Sequence, residues 1–271
     1  MIRLAVRVAR ADAELVLAEL LELAPAGMEE RDVSASTVEY VLYGPPGELP
    51  ALPALRAAAG SALVDVSTSE VAEDWAERWK TFHRAVDVGG LRVRPPWEPA
   101  RGDASEGIEL VIDPGQAFGT GAHHTTRLCL ELMLDAEPGG ALADWGCGTG
   151  VLAIAAARLG WGPVLACDHD PAAVEATRAN AAVNGVPALD VARVDLRAEA
   201  GPWAPTVVAN LVRPLLLEVA RRMTRPPERL IVSGLLRGEA DEIAAAFAFH
   251  GLREIGRRHS GEWTALRLAT G

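Results

Sequence analysis

Asp144-Trp145-Gly146-Cys147-Gly148-Thr149-Gly150 lies between the apolar pair Leu142-Ala143 and the helical run VLAIAAARLG at 151–160. A strand, a glycine-rich turn and a helix in that order open a βαβ unit, because the glycines allow a tight turn and let a ligand approach the backbone. A phosphate loop would continue Gly-Lys-Ser/Thr, and here the chain reads Gly150-Val151-Leu152. A nicotinamide fingerprint would place Gly or Ala three residues after Gly148, where Val151 stands. Asp168 closes the next apolar run, 22 residues beyond Gly146, where a carboxylate can accept both hydroxyl hydrogens of a ribose. Asp170, just ahead of Pro171, is better suited to capping the following helix.

Outward from this turn the rhythm is strand, helix, strand, helix. Strands are expected at 142–144, 164–168, 191–194, 207–210 and 230–233, and helices at 150–159, 171–184, 214–223 and 239–249. Two further strands, 252–258 and 262–268, should form an edge hairpin. The pattern predicts a doubly wound, mostly parallel α/β sheet with an antiparallel edge. Ahead of it, Ile2, Leu4, Val6 and Val8 alternate as in a half-buried strand. A helix from Asp12 to Leu23 follows, with Leu15, Leu20 and Leu23 near helical spacing, then strands 28–33 and 37–42, a helix 52–59 and a strand 62–68. This β-α-β-β-α-β order within the first 70 residues is the ferredoxin-like α+β arrangement. Residues 70–82 predict a connecting helix with Trp75 and Trp79 on one face, and 95–103 a turn-rich stretch. The expected division is a small domain at 1–69, a connector at 70–104 and the α/β domain at 105–271.

A second stretch narrows the reading: Asp113-Pro114-Gly115-Gln116-Ala117-Phe118-Gly119-Thr120-Gly121-Ala122-His123-His124-Thr125-Thr126. The glycine turn resembles the DxGxGxG loop of class I S-adenosylmethionine-dependent methyltransferases. The second stretch resembles the PGxAFGTGxHxTT signature of the ribosomal protein L-eleven (L11) methyltransferases. DWAERWKTFH at 74–83 is similar to that family's linker motif, and Asn210 in VVANLVRPLL falls on its fourth-strand motif. Gln116 and Trp145 depart from the commoner residues without removing a polar group.

The resemblance implies a class I methyltransferase fold and a bound S-adenosylmethionine that leaves as S-adenosylhomocysteine. It further implies cofactor contacts from Thr126, Gly146, Asp168 and Asn210, with Asp144 and Gly148 in the turn and Phe118, Gly119, Thr120 and Gly121 as a lid. It implies multiple methylation of ribosomal protein L11, free or on the large subunit, at lysine side chains and in extension at the N-terminal amine. The small domain would grip that substrate. Methylation of another protein or a small amine, and a non-catalytic ribosome-assembly role, are the alternatives.

Elementary chemistry says what such a site must do. A lysine with a pKa near 10.4 is almost fully protonated at pH 7, so neutralising it costs roughly 4 to 5 kcal/mol. Desolvation and a hydrogen-bond acceptor that aims the lone pair offset that cost, and Asn210 is the candidate acceptor and catalytic residue. Capping of the next helix is its structural alternative. Adjacent His123 and His124 make a poor chelating pair, so no metal is expected; His123 should order its loop.

Composition bounds the rest. The 271 residues are 49% apolar and 23% charged, enough for a sizeable core. The net charge of -11 argues against wrapping bare nucleic acid and leaves basic partners open. Residues 1–77 hold 5 Arg against 14 Asp and Glu, a net of -9, which points to an acidic docking surface for a lysine-rich protein, a merely solvated face being the alternative. Cys129, Cys147 and Cys167 lack CxxC spacing. No apolar run reaches membrane-spanning length and MIRLAVRVAR has no signal-peptide core, so a soluble, cytoplasmic protein is expected; separately, a monomer is expected.

Overall fold

Alternation at the start of the chain is realised as β1 (Ile2–Ala9), in which Leu4, Val6 and Val8 point into one core. The computed structural model describes residues 2–23, 28–44, 49–70, 83–101, 107–115 and 121–271. It divides into two compact units, 1–81 and 82–271. The predicted helix over 70–82, with Trp75 and Trp79, lies outside the described residues apart from Glu70.

The first unit continues with α1 (Ala13–Leu23), β2 (Glu29–Ser34), β3 (Thr37–Gly44), α2 (Leu52–Ala59) and β4 (Leu63–Glu70). Its sheet order is β2-β3-β1-β4, antiparallel throughout, as the ferredoxin-like reading requires. Val38, Tyr40 and Leu42 of β3 join β1, and Val16, Leu20, Leu55 and Ala59 close the core from the helices. The Tyr40 hydroxyl, buried with them, donates to the Ala13 carbonyl at 2.8 Å. Leu15 and Leu23 do not join: they are 67% and 37% exposed, and Ala13, Val16 and Leu20 form the buried face instead.

Glu39, pointing to the opposite face of the sheet, is 4% exposed and is held by Arg3 and by Arg7 Nε at 2.9 Å. Burial works against its charge, but the two guanidinium groups outweigh that and hold the carboxyl below the usual range. Glu39→Gln should therefore lower stability by about 1–3 kcal/mol at pH 7. A depressed acid contributes above its unfolded pKa and loses the contribution as pH falls. The gap between parent and variant in urea denaturation should close below about pH 4; a gap independent of pH would contradict the assignment.

The second unit begins with β5 (Val86–Val88), β6 (Leu91–Arg94) and β7 (Ile108–Val111), a three-stranded sheet in that order. β5 and β6 form a hairpin through Gly89-Gly90 in the stretch expected to be connector. Then come α3 (His124–Leu134), β8 (Leu142–Trp145), α4 (Val151–Leu159), β9 (Val164–Asp168), α5 (Pro171–Val183), β10 (Asp190–Arg193), β11 (Thr206–Asn210), α6 (Arg213–Arg222), β12 (Arg229–Leu236), α7 (Ala240–Ala248), β13 (Leu252–Ser260) and β14 (Trp263–Thr270). The sheet order is β10-β9-β8-β11-β12-β14-β13, with β14 alone antiparallel to β12 and the hairpin at the edge. α3, α4 and α5 pack along it, and α6 and α7 close a core of Ala143, Val207, Ala209, Leu230, Val232, Leu216, Ile243 and Phe247.

Strand order reverses at β8: the chain moves to β9 on one side and later to β11 on the other. Such a switch point opens a crevice beyond the carboxyl ends of the strands. That crevice is where the glycine turn, Asp168 and Asn210 all fall. Among the described residues no helix is long and apolar enough to cross a membrane.

Candidate active site

Strand alternation at β8 sends Ala143 and Trp145 into the α6–α7 core and Asp144 to the α4 side. Asp144 is fully buried; Oδ2 accepts the Ala153 N–H at 3.0 Å, while Oδ1 has no partner among the described residues. Burial, reinforced by the charge of Asp168 and countered by the Ala153 bond, pushes its pKa up to about 7. The three thiols beside this acid, Cys129, Cys147 and Cys167, are free and buried, and desolvation raises all of them far above neutrality. None is available as a thiolate nucleophile.

An acid raised from 3.8 to about 7 destabilises the fold where it must ionise. Between those values the native state binds the extra proton, so stability falls as pH rises and levels off above the folded pKa. Asp144→Asn removes this dependence. In cofactor-free protein, the stability difference should move in the variant's favour between pH 5 and pH 8, by roughly 1–3 kcal/mol. Parallel pH profiles for parent and variant would refute a raised Asp144.

In the turn itself, Gly146 and Cys147 donate to the Cys167 carbonyl at 2.8 and 3.0 Å and Gly150 to Cys147 at 2.7 Å. Gly148 donates to Asp168 Oδ2 at 3.0 Å. These N–H groups are spent on the turn's own geometry, so what it offers a ligand is close approach to its backbone. Asp168 Oδ1 accepts the Asp170 N–H at 3.0 Å and lies 3.2 Å from His169 Nδ1, so the room for a further donor is on Oδ2, beside the Gly148 N–H. Asp170 caps α5 through Ala172 at 2.8 Å, as expected of it. A cavity of about 340 Å³, lined by His169, Arg193, Asp195, Arg197 and Glu199, opens beyond the ends of β9 and β10. Asp195 and its neighbours were not read from the sequence, although a carboxylate just past the strand after Asp168 was a visible signal.

Thr126, on the first turn of α3, is fully buried, and its Oγ1 accepts from Asn210 Nδ2 at 3.3 Å. Eighty-four residues of chain separate this pair. Asn210 does not cap α6, whose cap position is Val212 without a side-chain bond. Among the described residues its Oδ1 accepts nothing, leaving an acceptor at the end of β11. Gly234 keeps the next strand close: at φ +87° a Cβ there would lie 2.3 Å from the Leu211 carbonyl oxygen, so only glycine lets β12 pass. His123 caps α3, with Nδ1 2.8 Å from Thr125 Oγ1 and its ring edge-on to Trp263 at 5.1 Å. Burial lowers its pKa to about 4, so it is neutral at pH 7. His124 turns away to Ser260 at 2.7 Å. Gly121 packs against Val93 of β6; Phe118, Gly119 and Thr120 lie outside the described residues.

The donor and acceptor set fits a cofactor with a ribose diol and a polar, cationic end. A carboxylate with spare acceptor sites closes β9, and an orphaned buried carboxylate oxygen, a threonine hydroxyl and an asparagine amide face the adjoining strand ends. Together, sheet order, glycine turn and terminal acid define the class I S-adenosylmethionine-dependent methyltransferases. Residues 52–270 match the family model described as "Ribosomal protein L11 methyltransferase (PrmA)", and the chain belongs to that family. A "Ribosomal protein L11 methyltransferase" of Myxococcus xanthus is 36% identical, the alignment covering 92% of this chain and 91% of the relative. One from Ralstonia pickettii is 37% identical over 89% of each. The crystal structure of a ribosomal protein L11 methylase from Lactobacillus delbrueckii subsp. bulgaricus superposes with a TM-score of 0.64 at 27% identity, covering 69% of this chain and 99% of that one.

Proposed function

We propose that the chain transfers methyl groups from S-adenosylmethionine to amino groups of ribosomal protein L11. The observation that carries the site reading is the contact of Asn210 with Thr126, which brings the fourth-strand motif and the signature helix to one point at the strand ends. When bound, the cofactor supplies an electrophilic methyl group on a sulfonium. Asp168 would hold its ribose, and Thr126, Asp144 and the backbone of Gly146 its amino-acid end. Asn210 Oδ1 would accept a hydrogen of the incoming amine, orienting the lone pair toward the methyl. Loss of water around the amine when the substrate docks would favour the neutral amine over the ammonium. His123, neutral at working pH, adds no positive charge to repel a lysine.

Residues 1–69 we assign to substrate recognition. Arg3, Arg7, Arg10 and Arg31 are all ion-paired to acids of their own unit, which leaves the excess acidity of that unit to face a basic partner. The test is to incubate the protein with labelled cofactor and a mixture of purified ribosomal proteins, then locate label by mass spectrometry. Label on lysines of L11 is expected. Label on another protein would reassign the substrate, and cofactor binding without transfer would favour the non-catalytic assembly role.

A further inference from the structure

α5 and its C-terminal cap position carry two asparagines, Asn180 and Asn184, that the proposed reaction does not use. Asn180 and Asn184 are 3% and 8% exposed, one turn apart on the same face. Asn184 closes both backbone groups of Val111, accepting its N–H at 2.8 Å and donating to its carbonyl at 2.7 Å. Asn180 does the same for Asp113, accepting at 2.9 Å and donating at 3.1 Å. The intervening Ile112 donates the other way, to Arg94 of β6 at 2.8 Å. The two side chains thus complete β7 and its extension as a neighbouring strand would.

Asn180 differs from its partner in one respect. Its Nδ2 also donates to the Thr149 carbonyl at 2.9 Å, inside the glycine turn. Thr177, three residues earlier, donates to the Gly148 carbonyl at 3.0 Å, and its Cγ2 lies where a Cβ on Gly150 would come within 2.8 Å. Helix α5 therefore grips the turn from behind by its carbonyls. Residue 113 is also where the signature stretch ending at Thr126 begins.

We propose that Asn180 is a positioning residue for the cofactor site, one carboxamide setting the glycine turn and the start of the signature stretch relative to each other. The proposal rests on reading this crevice as the S-adenosylmethionine site. Removing Asn180 would cut the direct bonds by which one side chain ties these two elements of the site together, so affinity for the cofactor falls. Asn184→Ala is the matched control, because it also cuts three hydrogen bonds, the third to the Asn180 carbonyl at 2.8 Å, but touches nothing in the turn.

Cofactor Kd by calorimetry and Tm without cofactor would be measured for the parent, Asn180→Ala, Asn184→Ala and Thr177→Val. We expect comparable falls in Tm for the two asparagine variants, a Kd rise of about tenfold or more for Asn180→Ala, and less than about threefold for Asn184→Ala. Thr177→Val, which keeps its shape and loses the Gly148 bond, should raise Kd by roughly threefold or more. Equal effects of the two asparagine variants on Kd would overturn the proposal, as would a Kd untouched in Thr177→Val when Asn180→Ala cannot be folded. A parent that binds no cofactor would instead overturn the reading of the crevice itself.

Discussion

Asp168→Ala should weaken S-adenosylmethionine binding by about 10²- to 10⁴-fold, the equivalent of two hydrogen bonds to a charged acceptor at roughly 1.5–3 kcal/mol each. The carboxylate has two tasks, and alanine ends both. It holds Gly148 and Asp170 by their N–H groups, which fixes the turn against the end of β9. In the proposed reading it would also accept the hydroxyl hydrogens of the ribose. Asp168→Asn separates these tasks, because an amide can accept from one backbone N–H but must present its own hydrogens toward the other. Its loss should approach that of alanine. Calorimetry on both variants, with Tm as a check of folding, is the measurement; unchanged binding in Asp168→Ala would remove the residue from the cofactor site.

The second large effect should be on rate. Asn210→Ala is expected to cut kcat by about 10²- to 10³-fold, in the range of lost proton-accepting or positioning groups. Cofactor Kd should change by less than about tenfold, because the Thr126 hydroxyl and Asp168 remain. Asn210→Asp keeps an acceptor oxygen while giving up the donation to Thr126, and should fall between parent and alanine. Single-turnover rates with L11 at saturating cofactor would measure this, and full activity in Asn210→Ala would end the acceptor role.

How far the sequence carries depends on how local the signal is. Strands β8, β9 and β11 were legible because each is a mostly apolar run ended by a residue that breaks it: Gly146, Asp168 and Asn210. α1 was legible as a helix but not in its orientation. AELVLAELLEL places leucines around the whole cylinder, so periodicity could not tell exposed Leu15 from buried Leu20. The β5–β6 hairpin was missed despite a strong signal, since Val86-Asp87-Val88 and Leu91-Arg92-Val93 alternate around Gly89-Gly90; the prolines that follow suggested turns throughout. The meeting of Thr126 with Asn210 follows from their motifs. The asparagines of α5 had no local signal, because a polar residue on a helix looks solvated until the strand extension at 111–113 is laid beside it.

The position of β8 in the sheet also has a consequence for biogenesis. The strand that bears Asp144 and leads into the glycine turn is flanked by β9, made soon after it, and by β11, whose residues 206–210 emerge some sixty positions later. A nascent chain therefore carries its most distinctive motif on a strand with one bare edge, and Asn210 is absent until β11 is made. Ligand-assisted stabilisation by the whole crevice can act only on nearly finished chains.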